Sequence, residues 1–178
     1  MSNNKKSFSV KMLCFGALFA ALTCAATLIS VPLPFGYFNL GDVLVLVGTW
    51  CLGPIGIISA SLGSALADVI LGWAQYAPAT FIIKGLMALI AFLLCKRLHV
   101  RALPLELLIR TLVAVLCEAV MVGGYLLYEA VFLGYGAGAL VSIVGNCMQG
   151  LVGIVGAIVL YTALKTTHAL KLFDIKGE

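Results

Sequence analysis

The sequence predicts an all-α, polytopic membrane protein: a bundle of six transmembrane helices with N and C termini cytoplasmic. Three observations carry this. Of the 178 residues, 63% are hydrophobic and only 10% charged, whereas a soluble domain carries about a quarter charged residues. So few charges cannot cover a water-facing surface, and the apolar content, with a mean hydropathy of +1.16, exceeds what one globular core of this length buries. The apolar sequence is interrupted by Pro, Gly and basic residues at intervals that suit helices of about 20 residues, enough to cross about 30 Å of hydrocarbon. There is room for six or seven crossings and none for a soluble enzyme domain.

The polar, basic start, Met1 to Lys11, precedes a long apolar run as a signal peptide would. That run lasts about 19 residues without a small-residue cleavage site, so it is read as a first helix near 10–31. Pro32-Leu33-Pro34 ends it. Gly53-Pro54 then separates a segment near 39–52 from one near 54–73, and Ala77-Pro78 opens a fourth near 78–96. The basic stretch Lys96 to Pro104 precedes a fifth near 106–130, and Gly134 to Gly138 a sixth near 138–165. All six are expected to form a single membrane domain spanning 1–178.

The second segment is the one in doubt, because Leu40 to Leu52 extends only about 20 Å at 1.5 Å per residue. Charge decides it. With six crossings, Lys5, Lys6, Lys11, Lys96, Arg97, Arg101, Arg110, Lys165, Lys171 and Lys176 fall on one side, and loops 32–38, 74–77 and 131–137 carry no basic residue. If the second segment did not cross, the basic clusters would lie on opposite faces, against the positive-inside bias. The net charge of +4 therefore records topology and no nucleic-acid role. Phe35, Tyr37, Phe38, Trp73, Tyr76, Tyr128, Phe132 and Tyr135 gather at the three outer boundaries as an interfacial belt.

The eleventh basic residue, Lys84, lies about 9 Å inside the fourth helix. Asp68, five residues before Trp73 on the third, is at nearly the same depth, and Asp42, in Asn39-Leu40-Gly41-Asp42, adds a third ionisable group. A Lys84–Asp68 pair facing the bundle interior costs far less than an isolated charge. Such a cluster is either an outward-open polar site or an ion-pair network joining helices two, three and four. On the fifth helix Glu118, Tyr125 and Glu129 share a face, and Glu118 sits near mid-span, where a lone carboxylate binds something, pairs with a donor or carries a proton. On the sixth, Asn146 and Gln149 share a face at comparable depth; their amides suit a heteroaromatic or polyol ligand, or act as interhelical glue.

Small residues recur at Ala17, Ala21 and Ala25, at Gly56, Ala60, Gly63 and Ala67, and at Gly150, Gly153 and Gly156. Such stripes let helices approach closely, within the bundle or against a separate subunit. The six cysteines form no C-x-x-C pair, so neither a disulfide framework nor a metal site is expected. No P-loop, no H-E-x-x-H and no Ser–His arrangement within the membrane is present; His99 and His168 lie on flanks. No catalytic residue, cofactor or metal is expected, and the protein is not an enzyme.

The runs Tyr37-Phe38-Asn39-Leu40-Gly41-Asp42, Leu52-Gly53-Pro54-Ile55-Gly56, Gly63-Ser64-Ala65-Leu66-Ala67-Asp68 and Ala77-Pro78-Ala79-Thr80-Phe81-Ile82-Ile83-Lys84-Gly85 resemble the substrate-binding S components of energy-coupling factor (ECF) transporters. The resemblance is to the branch holding hydroxymethylpyrimidine, pyridoxine-type and some riboflavin transporters. It implies a multi-pass subunit in the bacterial cell membrane that captures a vitamin or precursor in an outer pocket, capped by the loop after the first helix. It implies docking on a transmembrane coupling subunit and two ATPases, which accounts for the missing P-loop. The family's Ala-x-x-x-Ala docking motif corresponds to Ala17 and Ala21, with Ala25 extending it. Asn39, Asp42, Asp68 and Lys84 then become framework or gate, and Glu118, Tyr125, Asn146 and Gln149 the expected ligand contacts. Pyridoxine-type or hydroxymethylpyrimidine-type ligands are expected ahead of riboflavin. Two other readings of the residues are a stand-alone proton-coupled secondary carrier using Glu118 and a non-transporting membrane assembly factor.

Overall fold

The computed structural model describes residues 10–33, 36–96, 98 and 102–173. Lys5, Lys6, Phe35, Arg97, His99, Arg101 and Lys176 lie outside the described residues. Six α-helices follow in order: α1 (Val10–Leu28), α2 (Gly41–Leu52), α3 (Pro54–Ile70), α4 (Ala77–Cys95), α5 (Leu103–Leu127) and α6 (Ser142–Thr166). Three helical stretches, Val10–Leu28, Ala77–Cys95 and Gly136–Thr166, are long and apolar enough to cross a membrane. Large apolar side chains stand exposed around the bundle, among them Leu18, Leu66, Ile82, Leu112, Leu151 and Val159. Apolar residues on every side of a helix mark a lipid-facing surface.

α2 occupies the middle, packed against α1, α3, α4 and α6. Val45, Leu46 and Val47 are all 0% exposed, so this helix meets protein on every side and needs no lipid-matched length. Its 12 residues extend about 18 Å. It runs alongside the middle and inner part of α4: Asp42 reaches Lys84 in the first half of α4, and Gly53 abuts Phe92 near the end of α4. The α2–α3 corner turns at Gly53, whose φ of 61° is the left-handed region that glycine enters without Cβ strain, and Pro54 opens α3 at a position that needs no backbone donor.

The three small-residue stripes have different fates. The α3 stripe is wholly internal. A Cβ on Gly56 would lie 2.5 Å from the Gly48 carbonyl oxygen, and one on Gly63 would strike the Ala20 carbonyl. On α1 the packed face is Gly16, Phe19, Thr23 and Thr27, with Ser59 Oγ donating to the Gly16 carbonyl at 2.8 Å. Ala17, Ala21 and Ala25 lie on the opposite, exposed face. The α6 stripe packs against α5 and α2, as described below.

The connection after α1, expected as a plain loop, is an antiparallel hairpin: β1 (Ser30–Leu33) pairs with β2 (Gly36–Asn39), with Ser30 opposite Asn39 and Val31 opposite Phe38. Strand pairing satisfies backbone groups that a helix-breaking Pro-x-Pro leaves without helical partners. The hairpin base is held to α1 by Leu40 N–H donating to the Ala26 carbonyl at 3.3 Å. α5 continues into a single wide π-turn, Tyr128–Phe132, and a 3-10 segment, Gly136–Val141, leads into α6.

At the other end, Phe173, in the 3-10 turn Ala169–Phe173 after α6, packs on Phe15 and Phe19 of α1 at 5.1 and 5.7 Å between ring centroids. Both ends of the described chain therefore meet at one end of the bundle, together with Lys96, Arg110, Lys165 and Lys171. The positive-inside bias makes this the cytoplasmic end. Arg110, expected on a basic flank, is instead folded inward. Its guanidinium donates to Glu106 Oε1 at 3.0 and 3.1 Å and stacks 4.0 Å from the Tyr161 ring centroid. Tyr161 Oη donates to the same oxygen at 2.6 Å, and Lys165 pairs with Glu106 Oε2. Glu106 thus joins α5 to α6 at the inner end.

Candidate functional site

A cavity of about 570 Å³ opens at the hairpin end, opposite the basic residues. That volume lies within the range of small-molecule sites, about 300 to 1,000 Å³. Each wall is supplied by particular elements. Thr27 of α1 and Ser30 and Asn39 of the hairpin roof it; Ser64 and Asp68 form the α3 wall; Thr80 and Lys84 come from α4, with Trp73 and Tyr76 just before it. Tyr125 and Glu129 come from α5 and its π-turn, and Ser142, Gly145, Asn146 and Gln149 from the start of α6.

Of the residues singled out from the sequence, Asn39, Asp68, Lys84, Tyr125, Asn146 and Gln149 line this cavity, while Asp42 and Glu118 lie outside its lining. The expected pairing of Lys84 with Asp68 is corrected. Lys84 Nζ donates to Asp42 Oδ1 at 2.5 Å, with the two side chains 5% and 0% exposed. The physical reason is the central position of α2, whose first turn presents Asp42 to α4 and α6 together. Gln149 Nε2 holds Asp42 Oδ2 at 2.5 Å, and Asn39 Nδ2 donates to Gln149 Oε1 at 2.9 Å. Asn39 Oδ1 in turn accepts from the Gly41 N–H at 2.9 Å, satisfying a backbone donor that the first turn of α2 leaves without a helical partner. A continuous hydrogen-bonded chain thus runs from the hairpin through α6 and α2 to Lys84.

Lys84 also lies 5.6 Å from the Tyr125 ring centroid, within cation–π range. Tyr125 Oη and Thr80 Oγ1 share a hydrogen bond at 2.9 Å. Glu129, placed inward by the π-turn and 7% exposed, accepts from Tyr76 Oη at 3.3 Å and from Ser142 Oγ. Burial and then the neighbouring Glu129 carboxylate raise the Tyr76 phenol above its ordinary value, so it remains a donor. Glu118 is 5% exposed, with neither carboxylate oxygen hydrogen-bonded. It lies against Gly150 and Gly153 of α6. Asp68 Oδ2 and Ser64 Oγ are likewise buried without a partner, but these two atoms belong to residues that face the cavity.

Ser64, Thr80 and Ser142 escaped the sequence reading because hydroxyls are common in membrane helices, where they bond to backbone carbonyls one turn back, as Ser61 does here at 3.0 Å. Glu129, Tyr76 and Trp73 were noted from the sequence as interfacial residues; the π-turn and the α4 corner bring them to the cavity. The Glu106–Arg110 pair was visible in principle as an i,i+4 carboxylate and guanidinium.

Residues 7–166 match the family described as "ECF-type riboflavin transporter, S component". The chain is also 33% identical, over 138 residues covering 76% of its length and 88% of the relative's, to an uncharacterized protein encoded in the gap 3′ region of Pyrococcus woesei. A multi-helix apolar bundle with a roofed cavity is consistent with that match, and the chain belongs to the S-component family of ECF transporters, the substrate-binding membrane subunits of vitamin uptake systems.

Proposed function

We propose that the cavity is a vitamin-capture site open to the outside, and that the protein delivers its ligand inward after docking on a coupling subunit served by two ATPases. The observation that carries this reading is the position of the cavity. It lies at the end of the bundle away from Lys96, Arg110, Lys165 and Lys171, under a hairpin tied to α6 through Asn39 and Gln149. Pyridoxine-type and hydroxymethylpyrimidine-type ligands are favoured, because the lining offers amides, hydroxyls, two tyrosines and carboxylates around a space suited to a small polar aromatic. Riboflavin, named in the family description, comes next. Asn39, Asp68, Lys84, Tyr125, Asn146 and Gln149 are the proposed ligand-site residues, and Asp42 supports them from behind. The exposed Ala17, Ala21 and Ala25 face supports docking of a partner helix, since internal packing uses the other side of α1.

Mass spectrometry of small molecules co-purified with the protein tests this, followed by calorimetry against a vitamin panel. A bound heteroaromatic vitamin is expected; persistent absence of one, with no binding to the panel, removes the reading. The two unpartnered oxygens of Glu118 favour one rival, a proton-coupled carrier acting alone. Uptake into liposomes holding only this chain would establish that rival, and strict dependence on the ATPase module would eliminate it.

A further inference from the structure

The α3 wall carries two unused polar atoms. Ser64 and Asp68 are one turn apart, about 6 Å along the axis, so they share a face. Both line the cavity, with exposures of 1% and 4%. Neither Ser64 Oγ nor Asp68 Oδ2 has a hydrogen-bond partner. Leaving such groups unsatisfied is costly in a water-poor interior, and the cost is recovered when a ligand supplies the partners. The remaining charges of the cavity are already committed. Lys84 is paired with Asp42, and both oxygens of Glu129 accept hydrogen bonds. Among the buried side chains of the described lining, the uncommitted recognition element is therefore a carboxylate oxygen beside a hydroxyl, in a cavity whose cation is neutralised within the protein.

We propose that Asp68 and Ser64 anchor the amino-substituted edge of an uncharged or cationic nitrogen heterocycle, and that phosphorylated ligands are excluded. An exocyclic amino group beside a ring nitrogen presents a donor next to an acceptor, which matches a carboxylate next to a hydroxyl. An imide edge, with one N–H between two carbonyls, places carbonyl oxygens against the carboxylate. A phosphate meets two carboxylates, Asp68 and Glu129, with no free counter-ion among the described lining residues. This inference rests on reading the cavity as the vitamin site and selects among the ligands considered above.

The test uses the full chain in detergent and calorimetry with four probes: 4-amino-5-hydroxymethyl-2-methylpyrimidine, its phosphate ester, pyridoxine and riboflavin. The aminopyrimidine is expected to bind at least about tenfold tighter than the others, the worth of one charge-assisted hydrogen bond. Asp68→Asn is expected to weaken it by about tenfold and Ser64→Ala by about threefold. Because Ser64 Oγ has no internal partner, Ser64→Ala leaves the ligand-free melting temperature unlowered, and this variant keeps the test decisive if Asp68→Asn folds poorly. Tighter binding of riboflavin, pyridoxine or the phosphate ester overturns the anchor and leaves vitamin capture standing. So does aminopyrimidine binding that Ser64→Ala and a folded Asp68→Asn do not change. Failure of the wild-type chain to bind any of the four overturns the anchor, and vitamin capture falls with it only when the co-purified fraction and the wider vitamin panel are also empty.

Discussion

Gly153 makes the space that Glu118 occupies: a Cβ at this position would lie 2.9 Å from Glu118 Oε1 and 2.9 Å from the Asp42 Cβ on the other side. Gly150, one turn away, closes on the same side chain, its Cβ position 3.0 Å from the Glu118 Cβ. The glycines of α6 are therefore the means by which two carboxylate side chains, from α5 and α2, reach the centre of the bundle. Gly153→Ala is expected to destabilise the protein by about 1–3 kcal/mol through overpacking. A lowered melting temperature in detergent checks it, with exposed Val155→Ala as the control that leaves stability near wild type.

The Lys84–Asp42 pair yields a second expectation. Both side chains are almost wholly buried, so removing one partner strands the other charge, at a cost of about 3–5 kcal/mol. Lys84→Met and Asp42→Asn are each expected to lower thermal stability severely. The double variant, which strands no charge, should recover much of the loss. A double-mutant cycle by thermal unfolding measures this, and additive losses would show that the two side chains are stabilised independently.

How legible the molecule was depends on the kind of constraint. Helix ends coincide with Pro and Gly signals because these act locally: Pro54 opens α3, and Gly53 supplies the turn before it. The short second segment does form a helix, α2, of 12 residues, which is shorter than the three stretches long and apolar enough to cross a membrane. The hairpin was missed because four-residue strands beside Pro32 and Pro34 carry too little alternation to be read. The partner of Lys84 was missed for a geometric reason. Depth along a helix follows from residue counting, whereas the rotation of α2 that turns Asp42 toward α4 is decided by packing on four sides. Depth alone likewise placed Glu118 among the ligand contacts, although the cavity ends before it.

Asn39 is where the hairpin meets the buried chain of hydrogen bonds. Its side-chain amide N–H donates to Gln149 at 2.9 Å while its side-chain oxygen accepts from the Gly41 N–H. Asn39→Ala severs the side-chain tie between roof and α6 and leaves the strand pairing of β1 with β2 intact. Of the two bonds lost, only the one to Gln149 joins roof to α6; its removal, about 0.5–1.5 kcal/mol net, is expected to speed ligand release by about threefold to tenfold with little change in association rate. Stopped-flow fluorescence on the purified chain separates the two rates. A change confined to association would mean that the hairpin governs entry and not retention.

The two faces of α1 differ in burial, so the proposed docking face can be tested apart from folding. Gly16 is buried, and a Cβ there would lie 2.6 Å from Ile55 Cγ2, so Gly16→Leu is expected to damage the α1–α3 contact and lower stability and ligand binding together. Ala17 and Ala21 lie on the exposed face, between Leu13, Leu18 and Leu22, which are about half exposed. Ala17→Trp and Ala21→Trp add bulk where only lipid or a partner helix is met. They should leave the melting temperature and ligand affinity of the isolated chain unchanged and abolish vitamin uptake by the full complex, because close helix approach depends on small side chains. Parallel measurement of calorimetric affinity and cellular uptake checks this. Retained uptake in both variants would place the docking surface elsewhere on the bundle, while loss of affinity would mean that the face contributes to the fold of the isolated protein.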